Sequence, residues 1–163
     1  MKARFCIRRH HLPTLAALVG VILGIFVFSG VPDGILGAAL PIPTLRTAGK
    51  FEIICAVFGK EALPLAFAII ASGIMRHPLP LLLDTAWRGF ACTLSSLYLY
   101  RNTAFLVFLL YLALHLTALL AHIAASIAAL QYRKATGVFP ILYFIGLLFL
   151  ITVIRLLAFS LIL

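Results

Sequence analysis

Polar and apolar positions divide the chain into five long apolar runs separated by short polar breaks. They cover residues about 12–30, 51–74, 79–100, 103–130 and 138–158. Each is close to or above the roughly 20 residues a helix needs to cross a hydrocarbon layer of about 30 Å. The pattern therefore predicts an all-α fold, a polytopic membrane helix bundle of about five transmembrane helices in a single integral membrane domain, 1–163. The breaks are turn chemistry: Pro32-Asp33-Gly34, Arg76-His77-Pro78, Arg101-Asn102 and the QYRKAT segment Gln131 to Thr136. Gly30 to Lys50 is the one extended connector, and Pro41 and Pro43 keep it from forming a regular helix. It reads as a partly interfacial loop with an apolar dip at Ile35 to Leu40.

The second run is impure. Glu52, Lys60 and Glu61 fall in its first half, and Pro64 interrupts the hydrogen-bond ladder. An interfacial amphipathic helix from Arg46 to Lys60 followed by a shorter span is expected, with Lys60 and Glu61 snorkelling to the head groups. The second and third runs also admit a re-entrant pairing. Gly137 opens the last run with Pro140 in its first turn, where proline is tolerated, and Arg155 near its end can reach an interface. Gly20 and Gly24 form a small-xxx-small face in the first run, suited to helix–helix contact, including self-association.

Composition makes the membrane reading firm. Apolar residues are 64% of the chain and charged residues 10%, and mean hydropathy is +1.20. A soluble domain holds about 45–50% and about 25% respectively, and one this small could not hide so much apolar surface. The formal charge of +9 does not point to nucleic acid, because the basic residues flank apolar runs instead of forming a stripe. The partner they imply is the lipid bilayer, with basic residues as cytoplasmic anchors. With the N-terminus inside, Lys2, Arg4, Arg8, Arg9, Arg76, Arg133 and Lys134 are cytoplasmic. Arg46, Lys50, Lys60, Arg101 and Arg155 lie opposite. The N-terminal cluster sets a cytoplasmic N-terminus in a cell membrane. That cluster and the first run resemble a signal peptide, but no A-x-A site follows, so an uncleaved first span is expected.

The third run holds the candidate site. Asp84 and Arg88 are four residues apart, on one helix face and in the favourable order. A charge at the bilayer centre costs roughly 2.5–3.5 kcal/mol on insertion scales, so the two should face each other and the protein interior. Gly89 then permits close approach of another helix, and Phe90 follows it. In the fourth run His115 and His122 share a face, and a hydrogen-bonding role between helices is expected of them.

Chemistry is sparse. Cys6, Cys55 and Cys92 form no CxxC, and no spacing suits a metal. No GxSxG or HExxH gives context to Ser72, Ser95, Ser96 or Ser126. The four acids, Asp33, Glu52, Glu61 and Asp84, are scattered, so no metal or other cofactor is expected. The chain reads as non-enzymatic. A small transporter or permease subunit, with Asp84 or Glu61 as coupling group, is the alternative.

The stretch LPLAFAIIASGIMRHPLPLLLDTAWRGFACTLSSLYLY, Leu63 to Tyr100, resembles the central block of the stage II sporulation protein M family. Arg88-Gly89-Phe90 stands for its basic-Gly-Phe signature, with Pro78, Pro80 and Leu81 to Leu83 before it. Where that family places a second glycine, this chain has Ala91-Cys92-Thr93-Leu94. The resemblance implies a non-enzymatic integral membrane scaffold that recruits or organises extracytoplasmic peptidoglycan hydrolases during engulfment in sporulation. It would assign Asp84, Arg88, Gly89 and Phe90 to an intramembrane ion pair and helix packing, and the Gly30 to Lys50 loop to partner contact.

Overall fold

A computed structural model of the chain describes residues 11–32, 50–131 and 138–160, and among these there are five α-helices and no strand. They are α1 (Leu12–Gly30), α2 (Lys50–Met75), α3 (Leu79–Asn102), α4 (Phe105–Gln131) and α5 (Val138–Ser160). The basic cluster Lys2, Arg4, Arg8 and Arg9, with Cys6, lies outside the described residues. So do Pro41 and Pro43 of the connector, the loop residues Arg133 and Lys134, and the last three residues.

Helices α1 and α4 and the segment Phe51–Met75 are each long and apolar enough to cross a membrane, and Tyr143–Ala158 is a shorter apolar helical stretch. Helix α3 is not among them; it is the least apolar of the five and carries Asp84, Arg88 and Arg101. Its first two charges are turned inward, and Arg88 is only 6% exposed. Side chains such as Ile22, Phe26, Phe67, Leu120 and Phe149 point outward, as lipid-facing positions should.

Proline does not divide α2. The expected interfacial helix followed by a short span is instead one helix of 26 residues with Pro64 inside it. At about 1.5 Å per residue it is longer than the hydrocarbon layer. Nor do α2 and α3 fold back as half-helices. They lie side by side at full length, joined by a tight turn at Arg76 to Pro78. Ser72 Oγ donates to the His77 carbonyl at 2.8 Å, and the Leu79 N–H donates to His77 Nδ1 at 3.2 Å. Arg76 takes φ of 49° there, the left-handed conformation common just past a helix C-terminus. That conformation costs a residue with a Cβ about 1–2 kcal/mol. Arg76→Gly is therefore expected to stabilise the protein by about 0.5–1 kcal/mol, once the extra backbone entropy of glycine is subtracted. A thermal unfolding midpoint measured in detergent reads it.

The other connection, Thr103-Ala104, is as short. The Thr103 N–H and hydroxyl both donate to the Leu99 carbonyl, at 2.9 and 2.7 Å, and close the last turn of α3.

Paired residues give the direction of each helix. Glu61 meets Arg88 and Ser72 meets His77, so α2 and α3 are antiparallel. Asp84 meets His122, while Leu99 clusters with Tyr111, so α3 and α4 are antiparallel too. Tyr111 at the start of α4 clusters with Ala158 at the end of α5. Helices α2 to α5 thus close a ring in which each packs on its two neighbours. Helix α1 lies outside the ring, chiefly on α3 and parallel to it: Gly24 abuts Thr93 and Phe28 lies beneath Arg101. The five helices therefore alternate in direction, with four reversals, and α1 begins at the opposite end of the bundle from the finish of α5.

Two apolar layers cap the interior of the ring. One joins Leu65, Ala68, Leu81, Ala125, Ala129 and Ile151. The other joins Leu99, Tyr111 and Ala158. Between them, at the level of residues 84–96 of α3, the interior is polar.

Candidate functional site

The polar interior starts with a backbone defect. Pro64 has no N–H, so the carbonyl four residues earlier, that of Lys60, loses its helical partner. In lipid such a group must be satisfied by a neighbour. Arg88 of α3 does this: its Nη2 donates to the Lys60 carbonyl at 2.7 Å and to the Glu61 carbonyl at 3.1 Å. Its Nη1 donates to Glu61 Oε2 at 2.5 Å. One guanidinium thus repairs the break in α2 and neutralises the adjacent carboxylate.

From there the network spreads over all four ring helices. The second oxygen of Glu61, Oε1, lies 3.4 Å from Arg155 Nε of α5, an ion-pair distance without hydrogen-bond geometry. Asp84 Oδ1 is 3.7 Å from Arg88 Nε, again without a hydrogen bond. Asp84 Oδ2 is 2.6 Å from His122 Nε2 of α4. One turn away the hydroxyls of Thr85 and Ser126 are 3.1 Å apart, and Thr85 also donates to the Leu81 carbonyl at 2.6 Å. Two carboxylates thus face two guanidiniums, so the charges of these four side chains offset one another. That balance matters because an unpaired ion costs several kcal/mol in such surroundings.

The four site residues read from the sequence separate into two groups. Asp84 and Arg88 are both inside, one helical turn apart, but neither spends its hydrogen bonds on the other. Those of Arg88 go to α2, and that of Asp84 goes to His122. Gly89 is buried on another side of α3, where a Cβ would strike the Ala17 carbonyl of α1. The Phe90 ring is half-buried and lies 5.5 Å from that of the exposed Trp87, outside the ion network. The Gly20–Gly24 face of α1 is occupied within the chain by Ala86, Phe90 and Thr93 of α3.

Two expectations about charged residues are corrected. Glu61 does not reach to the head groups; it turns inward between Arg88 and Arg155. Arg155 is 4% exposed and belongs to the same network. Lys60 does keep an exposed side chain. The histidines differ from each other. His122 bonds to Asp84, whereas His115 stacks on Tyr111 with ring centroids 4.0 Å apart and neither ring nitrogen hydrogen-bonded. Ser95 donates to the Ala91 and Cys92 carbonyls of its own helix, and Ser96 Oγ has no hydrogen-bond partner among the described residues. Among the described residues no three of His, Cys, Asp and Glu gather in a way that would hold a metal ion.

The interhelical hydrogen bond expected of His122 forms, with Asp84 as its partner, whereas spacing alone does not reveal Glu61 and Arg155 as members of the network. One signal for Glu61 was present: it lies three residues before Pro64, beside the carbonyl that this proline leaves open. No family model, curated protein or solved structure matches the chain.

Proposed function

We propose that the chain is a non-enzymatic integral membrane scaffold, and that its partners are peptidoglycan hydrolases organised at a bacterial cell membrane during sporulation. The observation that carries the scaffold reading is the closed interior. The ionisable groups are balanced against one another, tie four helices together and lie between two apolar layers. Such an interior suits a rigid body that presents loops and outer faces to partners. The partner class rests on the Arg88-Gly89-Phe90 resemblance. In this reading the N-terminus is cytoplasmic, held there by Lys2, Arg4, Arg8 and Arg9. The Gly30 to Lys50 connector then faces the extracytoplasmic side.

The test is a cross-linked pull-down of the tagged full-length chain from sporulating cells in mild detergent, assayed for wall-degrading activity. Enrichment of a hydrolase is the expected result. A blank, with the protein abundant in growing cells, would sink the sporulation role.

The short Asp84–His122 contact inside apolar helices favours one second reading, a small transporter with Asp84 as coupling group. Asp84→Asn separates the two. A scaffold loses protein level as its network weakens, whereas a transporter keeps its level and loses flux in reconstituted vesicles.

A further inference from the structure

Within the ring, Arg155 of the ion network and two further side chains carry buried polar atoms that make no hydrogen bond among the described residues. Ser96 Oγ, both ring nitrogens of His115 and Arg155 Nε are buried without a hydrogen bond, on side chains 6%, 5% and 4% exposed. Helix register brings them to one level. Cys92 of α3 and Leu119 of α4 meet in one cluster, and these helices are antiparallel. Ser96, one turn after Cys92, therefore lies level with His115, one turn before Leu119. On α5, Ala158 shares a cluster with Leu99 and Tyr111, which puts Arg155 back at the His115 level.

We propose that Ser96, His115 and Arg155 enclose an internal binding site whose ligand is water. The hydrogen-bonding needs select it. A neutral imidazole has one N–H to donate and one lone pair to fill, so its ligand must both accept and donate. Arg155 Nε–H asks for an acceptor, and the serine hydroxyl takes either role. Water meets all of these, and buried waters characteristically bridge two to four such groups. A cation is opposed by Arg155. An anion would unbalance a network in which Glu61 and Asp84 already offset Arg88 and Arg155, and it could not donate to the imidazole. The Leu99, Tyr111 and Ala158 layer closes the site on one side, and the ion network bounds it on the other. The bound water extends that network to α3 and α4 at the level of Ser96 and His115.

The full-length protein in lipid vesicles, labelled with 15N-histidine, provides the test by magic-angle-spinning NMR. A water-to-imidazole cross-peak for His115 is expected, unchanged when chloride is replaced by sulfate. The same preparation gives a stability readout. His115→Phe keeps the ring on Tyr111 and removes both nitrogens. It should lower the thermal midpoint by about 2–4 °C if the nitrogens were hydrated. Absence of the cross-peak together with a raised midpoint in His115→Phe would mean a dry, unsatisfied imidazole and would overturn the proposal. A His115 signal that depends on chloride would overturn it too, by making the ligand an anion.

Discussion

Arg88→Met is expected to cost the fold about 3–5 kcal/mol, the usual consequence of removing one partner from a buried ionic cluster. Methionine fills much of the space, so the loss is electrostatic and not a cavity effect. Glu61 keeps only Arg155, Asp84 keeps only His122, and the Lys60 carbonyl loses the donor that replaced the missing Pro64 N–H. The thermal midpoint in detergent should fall by about 2–4 °C for each kcal/mol. Two second-site changes dissect this. Glu61→Gln in the Arg88→Met background removes one uncompensated charge, so the double variant should be less damaged than the sum of the singles. Pro64→Ala restores an N–H to the Lys60 carbonyl and should recover part of the loss, although it helps little when Arg88 is present. A cost for Arg88→Met within about 0.5 kcal/mol of zero, typical of an innocuous surface change, would remove the network from the account of stability.

The contrast between what local spacing reveals and what it conceals is clear in this same network. Five apolar runs are written in the sequence as lengths between polar breaks, and five helices form with ends shifted by a residue or two. The shared face of Asp84 and Arg88 is likewise a local fact, since i and i+4 always meet on a helix. The true partners are not local. Arg88 bonds across 27 residues to Glu61, and Asp84 across 38 to His122, and no periodicity within one helix encodes such a meeting. Set against water and lipid alone, Glu61 and Arg155 belong at an interface. A third environment, the interior of a helix ring, holds them better because they hold each other. Pro64 misled in a similar way. Judged within α2 it is a breaker; within the bundle its open carbonyl is a docking point for Arg88, and the helix runs on.

Gly20→Ala and Gly89→Ala should each detach α1 from the ring, at about 1–3 kcal/mol, the range for forcing atoms into a filled space. In α1 the new Cβ at Gly20 would meet the carbonyl oxygen of Ala86, and in α3 the new Cβ at Gly89 would meet that of Ala17. Backbone oxygens cannot rotate aside as side chains can, so the two helices must separate along the whole contact. Gly24 is crowded as well, 2.8 Å from the Thr93 Cβ and 3.1 Å from the Phe90 carbonyl oxygen for an added methyl. Gly146 is the control, because a Cβ there meets nothing and the position is exposed. Gly146→Ala should stabilise α5 by up to about 1 kcal/mol through helix propensity alone. Opposite signs for the same substitution would separate packing from propensity in one set of thermal midpoints. The double variant Gly20→Ala/Gly89→Ala should cost little more than either single, since one clash already parts the helices. Full additivity would mean that the two glycines do not report on a common interface. The cation–π contact of Arg101 over Phe28, at 4.3 Å, sits further along the same α1–α3 seam. It should weaken with the glycine variants and leave the Glu61–Arg88 pair, on the ring side of α3, intact.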